Sequence, residues 1–236
     1  MKHFAKILLP LLILALLLSA CGGESEKDVS GTVTPATEAV ETTEAVNDTP
    51  VSMGRMEGGT YTNSYVGFAV DLDSTWTYYG AEELQDLPDN VAEIFEGTEI
   101  GENMDPLTQF TDMMAESVEN MTSMNVLYQK LDMTERLLYA AMDNEAVLDS
   151  LLEQKDMMAE AYAAAGMEVQ SMEKVTVNFL GQERSALKTM CDIQGVAYYT
   201  LQIFEAKLGQ YSVTITFSSF LEDKTDSLAA MCYPVN

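Results

Sequence analysis

Histidine is almost missing from this sequence: the single one, His3, lies at the extreme N-terminus. Without an imidazole, the body of the chain cannot run Ser-His-Asp or Cys-His chemistry, which needs that group to take a proton. The usual zinc sites, built on histidine or clustered cysteine, are excluded with it. Basic residues are scarce too. Twelve Lys and Arg stand against 38 Asp and Glu, a net charge of −26. Such acidity disfavours nucleic acid and anionic headgroups as partners, because like charges repel. It favours solubility, cations and basic partners. P-loop, GxGxxG and GxSxG patterns are absent. Residue types and spacing therefore nominate no catalytic residue, no metal site and no cofactor.

What is present begins with an address. Lys2 and Lys6 give a basic start, and Ile7 to Leu18 is apolar except for Pro10. Leu18-Ser19-Ala20-Cys21 follows, then Gly22-Gly23. A basic start and a short apolar run are what an export signal needs, and the run is too short for a stable transmembrane helix. The LSAC tetrapeptide resembles the lipobox of bacterial lipoproteins. That resemblance implies a signal peptide over residues 1–20, cleavage before Cys21, and a diacylglyceryl group on the Cys21 thiol. The protein is then expected at the cell membrane, lipid-anchored on its extracytoplasmic face. Two acyl chains hold where one is marginal, each buried CH₂ contributing about 0.8 kcal/mol. Removal of the leader leaves 10 basic and 38 acidic residues, a net charge of −28.

Residues 22–57 are rich in Thr, Glu, Val, Ser and Pro and contain no aromatic residue. Thr-Glu-Ala-Val occurs twice, at Thr37–Val40 and Thr43–Val46. Such a stretch buries too little apolar surface to offset its ordering entropy, so 21–57 reads as a lipidated cysteine followed by a disordered linker. At about 5–6 Å × √n, it reaches roughly 30–35 Å. Residues 58–236 have the length of a single globular domain.

Within that domain the patterns are mixed. Val66, Phe68 and Val70 alternate as a strand with one buried face, and Trp76 to Gly80 reads as an irregular aromatic segment. Short helices are expected at Ala81–Leu87 and Asp89–Phe95, and a loop at Gly97–Asp105. Strands are expected near Gln109–Glu116 and Ser123–Leu131. Leu137, Leu138, Ala141, Leu148, Leu151, Leu152, Met158 and Tyr162 form one apolar stripe, which predicts a long helix over Thr134–Ala164. Asp143-Asn144 is where it would bend, and Gly166 sits where a C-terminal glycine belongs.

The last third carries the clearest β pattern. Val175, Val177 and Phe179 precede a turn at Gly181; Leu187, Thr189, Cys191 and Ile193 precede one at Gln194-Gly195. Tyr199, Leu201 and Ile203 form a third strand. Tyr211, Val213, Ile215 and Phe217 then alternate with Ser212, Thr214, Thr216 and Ser218. Short connections require an antiparallel meander, and a helix over Glu222–Met231 closes the chain. The fold class is α+β, an antiparallel β-sheet covered by helices.

An opening Gly59-x-Tyr61-x-Asn63, then Gly67-Phe68 and Trp76, together with the meander and closing helix, resembles PsbP-like domains. DcrB-like and other small bacterial lipoproteins share that α/β/α sandwich. In place of Pro-x-Gly-Trp, this chain has Asp73-Ser74-Thr75-Trp76. The resemblance implies a non-catalytic binding or assembly module and carries over no functional residue.

The remaining candidates are local. Tyr61, Tyr65, Trp76, Tyr78 and Tyr79 cluster in sequence; they are either rim-of-core packing or an aromatic-lined binding groove. Cys191 and Cys232 are either two buried thiols or a disulfide, which would close a loop of roughly 40 residues and contribute about 3–4 kcal/mol. Ser185-x-x-Lys188 matches the motif of penicillin-interacting enzymes, but a strand points its residues to opposite faces at that spacing. The methionine pairs Met113-Met114 and Met157-Met158, and Met121 with Met124, invite Cu(I) but lie on different elements. Asp71-x-Asp73 resembles the start of a calcium loop without its Gly and distal Glu. The reading that follows is a tethered, non-catalytic binding or accessory module with a protein or small-molecule partner. A carboxylate-dependent hydrolase and a Ca²⁺ or Cu(I) capture protein are the alternatives.

Overall fold

The computed structural model describes residues 53–80, 82–84, 109–205 and 210–235 of the 236-residue chain. The leader, Cys21, most of the linker, the expected helix at Asp89–Phe95 and the expected loop at Gly97–Asp105 lie outside the described residues; of the expected helix at Ala81–Leu87 only residues 82–84 are described, and they form a turn. Described strands are β1 (Gly54–Glu57), β2 (Thr60–Asn63), β3 (Phe68–Asp71), β4 (Thr77–Gly80), β5 (Gln109–Ser117) and β6 (Thr122–Lys130), then β7 (Glu168–Phe179), β8 (Gln182–Ile193), β9 (Val196–Glu205), β10 (Tyr211–Phe220) and β11 (Tyr233–Pro234). Helices are α1 (Met133–Ala141), α2 (Asn144–Glu153), α3 (Lys155–Ala164) and α4 (Thr225–Met231). This is a sheet-rich α+β fold.

Seven strands form the main sheet in the order β4-β5-β6-β10-β9-β8-β7, every neighbour antiparallel. Its C-terminal half is the expected meander. Leu180-Gly181 and Gln194-Gly195 take positive φ at both positions (55° and 73°, 55° and 86°). Two residues of that hand match the twist of the flanking strands. Helices α1–α3 carry the chain from β6 to the far edge at β7. The meander then works inward until β10 pairs with β6, from Tyr211↔Lys130 to Ser219↔Thr122.

The single long helix of the sequence pattern is three helices here. Asp143 takes an extended backbone (φ −89°, ψ 172°), and its carboxylate accepts the Ala146 N–H at 2.8 Å. It thereby satisfies a donor that a new helix would leave open. Gln154 separates α2 from α3. Gly166 (φ 80°) ends α3 as expected, with Gly166 N–H on the Ala163 carbonyl and Met167 N–H on that of Tyr162, both at 2.9 Å. The breaks redirect the stripe: Leu148, Leu151, Met158 and Tyr162 are buried, whereas Leu137 on α1 is exposed. The side chain of Leu138 lies outside the described set.

Two cores flank the main sheet. On one face α2 and α3 pack Leu148, Leu151, Met158 and Tyr162 against Leu187, Cys191, Tyr198 and Phe204. On the other, Tyr61, Phe68, Val70 and Leu72 join Leu228 and Ala229 of α4 against Val126, Leu201, Ile203, Ile215 and Phe217. That second cover is mainly a small sheet of order β1-β2-β3-β11 rather than a helical layer. Each large apolar side chain so enclosed contributes about 1.5–3 kcal/mol.

Two local readings are corrected, and one left open between two alternatives is decided. Trp76–Gly80 is not irregular, because Thr77–Gly80 pairs with Met113–Glu116 as an edge strand. The domain starts before residue 58, since Gly54–Glu57, assigned to the linker by its composition, pairs with β2. The third concerns the cysteines: Cys191 belongs to the helix-side core and Cys232 to the opposite one, and both are free. A disulfide needs Cα atoms about 4.4–6.8 Å apart, and here the sheet stands between the two. Burial pushes both thiols up to about 12.

Candidate functional site

Alternation in the meander gives it a face of Ser and Thr side chains. That face is buried. Residues directly opposite one another on paired strands share a face, and the pairing lines up Glu116 (β5), Ser123 (β6), Ser218 (β10), Thr200 (β9) and Thr189 (β8) in one row. A second row runs Asn125, Thr216, Gln202. All eight are buried. The row thus crosses five strands on the side where Met114, Leu187 and Cys191 meet the helical layer.

Buried polar groups need partners, and phenols supply several. Tyr198 donates to Ser218 Oγ at 3.2 Å, and Tyr79 donates to Glu116 Oε1 at 2.9 Å. The Tyr162 hydroxyl of α3 lies near Thr189 and Thr200 but forms no hydrogen bond with either, and burial pushes its phenol well above the usual range. Burial, then the Glu116 carboxylate, raises Tyr79 to about 12.

At its β5 end the row opens into a cleft of about 180 Å³. Glu116 and Ser123 line its inner part; Val118, Met121 and Phe220 make its walls. Val118 (65 % exposed) and Met121 (41 %) form the rim. The β5–β6 turn that carries them is braced. Asn120 Nδ2 donates to Ser117 Oγ at 2.9 Å, Ser117 Oγ meets Thr75 Oγ1 at 3.3 Å, and Phe220 N–H donates to the Met121 carbonyl at 3.0 Å. None of the ion pairs among the described residues includes Glu116. An apolar recess of this kind can take the apolar part of a ligand or of a partner's side chain.

The aromatic residues singled out in the sequence do not line one groove. Tyr61 is wholly buried, and Tyr65, Trp76 and Tyr78 are half-buried around the same core. Tyr79 packs on the opposite core, beside Glu116. Adjacent strand residues face opposite ways, so Tyr78 and Tyr79 cannot share a surface.

What Tyr61 does instead is hold a carboxylate. Register slips between Thr111 and Met113, and Asp112 occupies that bulge, fully buried. Tyr61 O–H donates to Asp112 Oδ2 at 2.5 Å and Met53 N–H to Oδ1 at 2.8 Å. Asn63 Nδ2 donates to the Tyr61 and Tyr128 hydroxyls at 2.9 and 2.7 Å. Burial, reinforced by the Asp112 charge, drives the Tyr61 phenol well above its ordinary pKa. A Cβ at Gly54 would overlap the Tyr61 phenol. The point where the N-terminal segment joins the body is thus seated on a buried acid.

The other candidates separate in space. Ser185 contacts Glu145, whereas Lys188 pairs with Asp223 (2.7 Å) and Asp226 (3.0 Å). Asp71 accepts from Thr60 and Tyr233, and Asp73 from Thr75. Met113 and Met114 enter opposite cores, while Met121 is exposed and Met124 buried. The two buried carboxylates among the described residues, Asp112 and Glu116, serve opposite faces of β5. No protein-family model and no curated protein sequence matches the chain.

Proposed function

We propose that the protein is a membrane-tethered, non-catalytic binding or accessory module on the extracytoplasmic face, with a PsbP-like sandwich as its body. The LSAC motif at Cys21 supports the tether, and the seven-stranded antiparallel sheet between two covering layers supports the sandwich. Tyr61 and Asn63 of the opening motif both have structural partners, as expected of a motif that builds the fold. Asp112 and Glu116 do not converge, which favours binding over carboxylate hydrolysis.

The observation that carries the reading is the Glu116 cleft, with its exposed Val118 and Met121 rim. A photocrosslinker at position 118 of the full chain, activated in intact cells, is expected to yield a discrete adduct. The same group at Glu168, on the far edge strand, is the control. Equal labelling at both positions, or none at 118, refutes the assignment of the cleft. For the tether, Cys21→Ala is expected to release the protein or stall its processing; a mature-sized variant still in the membrane fraction defeats the lipidation.

A further inference from the structure

We propose that the cleft beside the β5–β6 turn takes one large apolar side chain of a protein partner, carried on a segment rich in Lys and Arg. This rests on the cleft being the binding surface and goes on to name the partner it fits. Its accessible lining is almost wholly apolar, with Val118, Met121 and Phe220 as walls. At about 180 Å³ it is smaller than the pockets of roughly 300–1,000 Å³ that enclose a small-molecule ligand. It has the scale of a socket for a single anchoring side chain, the usual centre of a protein interface.

Two apolar residues are held here against local preference. Met121 (φ 53°) and Leu221 (φ 67°) take the left-handed backbone that glycine or asparagine adopts at less cost. Both side chains are exposed. The backbone beneath them is fixed: Phe220 N–H donates to the Met121 carbonyl at 3.0 Å, and Leu221 N–H to the Ala197 carbonyl at 2.8 Å. An apolar surface ordered in advance loses little freedom when a partner covers it.

Charge decides among the occupants. A chain of net charge −26 repels a second copy of itself, an anionic bilayer and acidic peptides, and it attracts basic ones. The surroundings of the cleft have the same sign. Glu119 follows Val118 and Glu222 follows Leu221; both are exposed and stand outside the ion pairs of the described residues. Asp223 is balanced by Lys188 at 2.7 Å, and Lys224 donates to the Asn120 carbonyl at 3.2 Å.

Selection of a displayed random heptapeptide library on the full chain, at about 0.15 M salt to screen loose attraction, tests this. Enriched peptides are expected to share a Leu, Met or Phe flanked by Lys or Arg. In fluorescence anisotropy, a peptide of that consensus should bind at least tenfold more tightly than versions with Ser for the apolar residue or Glu for the basic ones. Met121→Gly should weaken binding tenfold or more without lowering the melting temperature, because glycine suits that backbone. Val118→Ser, at an exposed position, should do the same. The proposal is overturned if no such consensus emerges, if the Glu-flanked peptide binds equally, or if both variants bind as wild type does. Phosphatidylglycerol-vesicle binding or self-association that Val118→Ser abolishes would overturn it too, in favour of a lipid surface or a second copy. A rim-specific photo-adduct with no basic consensus overturns the partner class alone and leaves the module reading standing.

Discussion

Replacing Asp112 with alanine removes the acceptor for two close donors at once, and for the longer Asn63 Nδ2 contact at 3.5 Å. The Tyr61 hydroxyl is buried and loses a 2.5 Å partner; the Met53 N–H, partly buried, loses one at 2.8 Å. A buried donor left without an acceptor costs about 1–3 kcal/mol, so the variant should lose roughly 2–4 kcal/mol. Tyr61→Phe removes a hydrogen bond to a charged acceptor, a loss of about 1.5–3 kcal/mol, while Asn63 keeps Tyr128 at 2.7 Å. In the double variant only the Met53 N–H stays without its acceptor, because the Tyr61–Asp112 pair is removed whole, and the two losses should overlap by about 1.5 kcal/mol or more, well beyond the additivity of independent sites. Urea unfolding followed by the single tryptophan, Trp76, which packs on the same core, measures all four corners of the cycle. A second readout is local. Arg55 lies in β1, next to the Asp112 contact at Met53, so Asp112→Ala should speed tryptic cleavage after Arg55 more than it speeds global unfolding. Additive losses with unchanged cleavage would refute the idea that Asp112 seats the N-terminal strand.

Gly54→Ala forces a methyl group into the Tyr61 phenol; it should cost about 1–3 kcal/mol, and Tyr61→Ala should relieve part of that in the double variant. Asp223 is pushed up by burial but held below the usual carboxylate range overall by Lys188 and Thr225. A lowered folded pKa means its contribution is present above about pH 4 and lost as the pH falls below that; Lys188→Met should flatten the acid limb of a melting-temperature profile, and an unchanged limb counts against the pair. Cys191 and Cys232, raised to about 12 by burial, should resist a thiol reagent at neutral pH in the folded protein. Both should react on unfolding without reductant, whereas retained disulfide by mass spectrometry would contradict the two-core arrangement.

Local physics explains what was legible in the sequence. The meander of β7 to β10 could be read because strand period and two-residue turns are short-range properties, and Leu180-Gly181 and Gln194-Gly195 carry both. The C-terminal end of α3 was legible for the same reason. The stripe from Leu137 to Tyr162 misled because periodicity survives a break: Asp143 starts a new helix without spoiling the spacing. Thr77–Gly80 was missed because both of its faces are covered, so no alternation of polar and apolar marks it.

By itself, then, the sequence determined the α+β class, the antiparallel meander and the missing imidazole chemistry, and it carries the whole case for a lipid anchor at Cys21. Only the tertiary structure decided that the Ser and Thr face of the meander is buried, that Cys191 and Cys232 are kept apart, and that Glu116 lines an apolar cleft. The reason is one of range. Each of those outcomes depends on which layer covers which face of the sheet, and that is set by contacts between residues tens of positions apart, where no local pattern reports them.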